Sequence, residues 1–185
     1  MTLVRSLRLL WKDAVYAANR RSMNSSFPDH VATLVERERP LLDEIFGAGQ
    51  YEIEDAGRDS AVIRSAEFNL EIGYDRNRDR HLGLRVRLLG LPEGLSIHMK
   101  VHPLYTWARF LGEEYPTLAL DVDARGIIMT PPGEQLRHEL EIFARYKREL
   151  FSDPQTKRDA AFFAAGYNRA YNDMCSGKGA WSEDS

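Results

Sequence analysis

Cysteine is nearly absent from this chain, with Cys175 alone among 185 residues. A lone thiol excludes an intrachain disulfide and a zinc centre built on cysteine ligands, and it fits a reducing compartment such as the cytoplasm. Long apolar runs are missing too. None reaches the roughly 20 residues that a membrane-spanning helix needs, so no membrane association is expected. Neither sign of charge dominates: the formal net charge is −3, which provides no general attraction to nucleic acid or to anionic lipid. Phosphate cradles are lacking as well. There is no Walker pattern and no Gly-x-Gly-x-x-Gly, and the Gly-Lys-Gly at 177–179 follows a helical pattern instead of opening one. No cofactor is expected.

What is present has the make-up of a globular protein, with 43% hydrophobic and 29% charged residues. We read residues 1–185 as a single α+β domain. Residues 1–21 form an amphipathic helix with Leu3, Leu7, Leu10, Trp11, Ala14 and Ala18 on one face. Their Arg-rich, acid-poor composition also matches a transit peptide, the less favoured alternative. A second helix starts near Pro28, is broken or restarted by Pro40 and stops at "GAGQ" (47–50).

From Tyr51 the period changes to two. "YEIEDAGRDSAVI" reads as strand, turn, strand, and "FNLEIGYDRNRDRHLGLRVRLL" (68–89) as a hairpin. Keeping the apolar residues on one face pairs Ile72 with Leu84, Leu70 with Val86 and Phe68 with Leu88. The turn then centres on Arg78, and Glu71 faces Arg85 as an ion pair on the wet side. "LSIHMKV" (95–101) alternates as a further strand, a short helix over 103–112 opens at Pro103 and closes at Gly112, and "TLALDVDARGIIM" (117–129) suggests one or two more strands. Helices over 134–151 and 154–174 follow, then a frayed tail at 175–185. The expected architecture is an antiparallel β-meander of about 4–6 strands, with two helices before it and two C-terminal helices after it.

Few residues carry chemistry. Asp121 and Asp123 are two apart on an expected strand and so point the same way, as a magnesium site or an acid–base pair requires. No third acid stands at a diagnostic spacing, and a metal is not expected. His98 and His102 are four apart, but on a strand that separation is roughly 13 Å, too far to chelate. Cys175 lies beside the tail, where a nucleophile is hard to hold in place.

Candidate partner-binding residues remain. One set is the hairpin tip: Asp75, Arg76, Arg78, Asp79 and Arg80. The bland reading there is a solvated turn, and its mixed signs make a poor phosphate site. A second is the stretch Glu113, Glu114 and Tyr115 after the Gly112 stop, expected to be left over by the fold. The third is an aromatic strip at spacing four, Phe163, Tyr167 and Tyr171, with Phe162 beside it. A core-facing stripe is the simpler reading of that strip, and an exposed contact surface the sharper one.

The order of elements resembles small bacterial immunity-like proteins, those encoded beside secreted polymorphic toxins. "RPLLDEIFGAGQYEIEDAG" resembles their helix-to-strand junction, "FNLEIGYDRNRDRHLGLRV" their strand, Asp-Arg turn and strand, and "GEQLRHELEIFARYKRELFSD" their late helix. The resemblance leaves out residues 1–21 and the segment after Pro154. It implies a non-catalytic cytoplasmic protein whose partner is a cognate toxin. Two alternatives stay open beside it. One is a structural, assembly or phage/host-defence accessory protein acting through protein contacts. The other is an enzyme with an acidic site near Asp121 and Asp123.

Overall fold

The computed structural model describes residues 30–75, 80–91, 102–124 and 128–175, with side chains of the last helix described as far as Gly166. Among the described residues two helices precede the sheet, α1 (Val31–Arg37) and α2 (Arg39–Phe46). They are separated at Glu38, where Pro40, in the first turn of α2, cannot donate to a continuing helix. The expected helix of residues 1–21, the expected strand at 95–101 and the tail beyond Cys175 lie outside the described residues.

Five strands form one antiparallel sheet in sequence order: β1 (Tyr51–Asp55), β2 (Ser60–Ser65), β3 (Phe68–Tyr74), β4 (Leu82–Leu88) and β5 (His102–Pro103). It is the expected meander. The β3–β4 register also matches, with Ile72 opposite Leu84, Leu70 opposite Val86 and Phe68 opposite Leu88. Every apolar residue of that hairpin is buried and none of the intervening residues is, so only this side alternation satisfies both faces. Glu71 stands opposite Arg85, yet its carboxylate approaches the guanidinium of Arg87, a diagonal neighbour, at 3.9 Å.

After the sheet come α3 (Tyr105–Leu111), α4 (Pro132–Leu150) and α5 (Pro154–Cys175). Gly112 stops α3 at φ 68, a left-handed conformation that costs glycine little. Pro103 belongs to β5 and does not open α3, which starts two residues later. Asp153 caps α5 by accepting a hydrogen bond from Thr156 N at 2.7 Å, and that bond lowers its carboxyl pKa.

One layer of helix covers one face of the sheet. α1 packs over β1, β2 and β3, and α4 over β4. Between the layers runs an aromatic seam. Phe68 meets Phe143 edge-on at 5.5 Å and Phe151 at 5.5 Å, and Phe151 meets Trp107 edge-on at 5.3 Å.

One buried polar side chain ties the layers together. The Gln135 side-chain oxygen on α4 accepts from Leu82 N at 2.9 Å, while its amide donates to Thr130 O at 2.9 Å and Arg80 O at 3.4 Å. It satisfies backbone groups at the hairpin base that no strand reaches.

The stretch 117–129 is not the expected strand or strands. Among the described residues it makes a single bridge, Val122 to Ile128, with Met129 N donating to Asp121 O at 2.7 Å. The segment before it is held as an extended strap along α4, which supplies side-chain partners where a strand would need backbone ones.

Candidate protein-docking site

The sheet face turned away from α1 and α4 presents Glu54, Val62, Arg64, Asn69, Glu71, Gly73, Gly83, Arg85 and Arg87, none of them buried. Its charges are interleaved: Arg64 donates to Glu54 at 2.5 Å, and Glu71 lies near Arg87. At the hairpin end the register puts Gly73 opposite Gly83, with Ser60 next across the sheet. A Cβ built on Gly73 would meet nothing within 4 Å. Two facing glycines thus leave bare backbone as the floor of a concavity of about 710 Å³.

The rim of that concavity comes from two turns and the strands beside them. Ala56 and Asp59 belong to the β1–β2 turn, Asp75 and His81 flank the hairpin loop, and Ser60, Glu71 and Arg85 lie on the strands. The loop base is braced by Asp75 N donating to His81 O and Arg80 N donating to Asp75 O, each at 2.9 Å. Arg80 has φ 62, a left-handed conformation uncommon outside glycine, asparagine and aspartate. Three carboxylates, one guanidinium and the His81 ring line the concavity, so it is a mixed polar surface.

Of the expected tip residues, Asp75 lines this site and Arg80 braces its loop, while Arg76, Arg78 and Asp79 lie outside the described residues. Sequence reasoning missed the glycine floor. The signal is there, because the register that pairs Ile72 with Leu84 also pairs Gly73 with Gly83.

The second expected set is not left over by the fold. Glu113 forms an ion pair with Arg145 and accepts from the buried Tyr146 hydroxyl at 3.2 Å. The Tyr115 hydroxyl donates to Glu139 at 2.8 Å. Burial raises the pKa of both groups, Tyr115 strongly, and the hydrogen bond partly offsets the effect on Glu139. With a 2.8 Å contact between His138 Nε2 and Pro116 O, these residues clasp the strap to α4. Only Glu114 of the three is exposed.

Glu113→Lys is therefore expected to cost about 2 kcal/mol, since it strands the Tyr146 hydroxyl and sets a cation beside Arg145. Glu114→Lys should stay within about 0.5 kcal/mol of the parent. Urea unfolding of the two variants separates them, and equal midpoints would refute the clasp.

Of the third set, only Phe163 and its neighbour Phe162 have described side chains, and both are exposed. Phe162 is 54% and Phe163 37% exposed, whereas Ala160, Ala161 and Ala164 are fully buried. α5 turns its alanines inward because it packs closely against α3 and α4, and the Phe163 ring rests on Phe110 at 5.5 Å. The side chains of Tyr167 and Tyr171 lie outside the described residues.

Asp121 is exposed and Asp123 half-buried on either side of the isolated bridge. Among the described residues, no group of three or more His, Cys, Asp or Glu side chains is gathered as a metal ion would require. His102 is buried in the inner face opposite Val86, with the Trp107 ring edge-on at 5.6 Å, and burial lowers its pKa to about 4. Among the described residues no helix is long and apolar enough to cross a membrane.

Among the described residues the fold is thus a two-layer α+β arrangement with an exposed, charge-patterned sheet face. Comparison of the chain with protein-family models, with curated proteins and with solved structures gives no match.

Proposed function

We propose that this chain is a non-catalytic, cytoplasmic protein-binding module of the bacterial immunity type, which holds a cognate toxin through the open sheet face. The observation that carries the reading is the concavity over Gly73 and Gly83. Its bare floor admits a side chain or loop tip from a partner, and the exposed Glu52 and Glu54 on the same sheet face add acidic groups that suit a basic one. A basic, nuclease-like toxin fits that chemistry. A small-molecule enzyme fits it less well, because the charged groups ring an open concavity and do not converge on a reacting atom in an enclosed pocket.

Gly73→Phe tests the reading. The new ring would fill the concavity from the solvent side, where nothing opposes a Cβ, so the melting temperature should not fall. Association with the cognate partner should weaken at least about tenfold, as expected when a central contact is blocked. The assay is calorimetry against the protein that copurifies, with growth rescue in cells expressing the neighbouring gene. If Gly73→Phe binds as the parent does, the partner does not use this face. If nothing copurifies and no neighbouring gene is toxic without this protein, the immunity reading fails.

A further inference from the structure

β1 is an edge of the sheet. It pairs with β2 on one side, and among the described residues no segment hydrogen-bonds to its other side. The effect shows in one transverse row of the inner face, Ile53, Ile63, Leu70, Val86 and His102. The other four are buried, while Ile53 is only half-buried, and among the described residues no further strand lies beside it. An unpaired edge is a template for strand addition.

We propose that this edge accepts an extended segment of a protein partner in which basic residues flank an apolar one. The apolar residue would cover Ile53, and the flanking cations would face Glu52 and Glu54 on the other side of the pleat. The inference rests on the protein-binding reading above and adds the local chemistry of the partner.

A second copy of this chain is a poor occupant. Antiparallel pairing of two β1 strands must keep Ile53 on the inner face, so Glu52 and Glu54 can only meet each other or themselves. Each such register sets like charges directly opposite, which destabilises a pair. A charged edge of this kind discourages self-association but not a basic strand. Asp55 lies 3.1 Å from His30 Nδ1, while Glu54 bonds Arg64 and Glu52 stands opposite the same guanidinium, so two exposed carboxylates share one cation and Glu52 makes no direct ion pair with it. Val62 stands opposite Glu54 and also lines the concavity, so one partner can reach both.

The test titrates the full chain with an end-blocked peptide of alternating Lys and Val, followed by fluorescence anisotropy and amide hydrogen exchange. Binding at low salt with slowed exchange in β1 is expected. Glu52→Gln should weaken it several-fold and Glu52→Lys by at least about tenfold. Methylating alternate peptide nitrogens, which removes donors but not charge, should abolish it. The proposal is overturned if the methylated peptide binds equally well, if protection appears away from β1, or if the unmodified peptide does not bind. A dimer of the free chain protected at β1 overturns it too. A cognate partner that is blocked by Gly73→Phe but leaves β1 exchange unchanged would sink the edge proposal alone. Peptide binding at β1 with no cognate partner would support the edge and count against the immunity reading.

Discussion

Ile72→Asp is expected to leave little soluble protein. Ile72 is 1% exposed at the centre of the sheet, with Ala61 across on β2 and Leu84 across on β4. Truncating a buried isoleucine costs about 2–5 kcal/mol through lost transfer energy and the void left behind. An aspartate adds the penalty of burying a carboxylate, or of protonating it far above its ordinary pKa. The sum, more than about 4 kcal/mol, is a large part of the roughly 5–15 kcal/mol that holds a typical domain together. Glu71→Gln supplies the contrast one residue away, because its side chain stands on the open face and should shift stability by no more than about 0.5 kcal/mol. The measurement is the soluble fraction on expression, then urea unfolding of whatever survives. If Ile72→Asp unfolds at the parent's midpoint, the inner face assigned to β3 is wrong.

That register is legible in the sequence because period-two alternation is strict on both arms of the hairpin. A slip of one residue would expose Phe68, Leu70, Ile72 and Tyr74 together. The break at Pro40 and the stop at Gly112 are legible for the same kind of reason, since each follows from backbone chemistry at one position. The clasp is not. Glu113 finds Arg145 and Tyr146, and Tyr115 finds Glu139, at sequence separations of 24–33 residues. No local period marks such pairs, so acidic residues after a helix stop resemble free surface. The stretch 117–129 misleads in a related way: its alternation is real, but among the described residues it closes only the single Val122–Ile128 bridge.

α5 shows a third limit. Its alanines and its aromatics share one spacing, and hydrophobicity alone favours the rings as the buried set. Up to Gly166, packing against α3 and α4 buries the alanines and leaves Phe162 and Phe163 exposed, and interhelical distance cannot be read from a single helix. The glycine floor differs again, since it follows from the register once that is fixed. Charged and aromatic side chains advertise chemistry in a sequence, and two residues that have no side chain do not.

Mild acid is expected to destabilise the fold through His102. The ring is buried in the inner face against Trp107, and burial lowers its pKa from 6.5 to about 4. The folded pKa is therefore depressed below the unfolded one. Stability from keeping the ring neutral is fully present above pH 6.5 and is lost as pH falls toward about 4, because the unfolded chain takes up a proton that the folded one refuses. A difference of about 2.5 pH units, at about 1.4 kcal/mol each, caps the loss at about 3.5 kcal/mol, of which about 3 kcal/mol is gone by pH 4. Carboxylates elsewhere add their own acid dependence, so the parent curve by itself cannot assign the effect. His102→Phe removes the titration while keeping a ring in the same row. Urea unfolding at several pH values between 7 and 4 should show the parent losing about 3 kcal/mol more than the variant over that window. Parallel curves would mean that His102 takes up its proton in the folded state, and that the inner face at β5 is open to water.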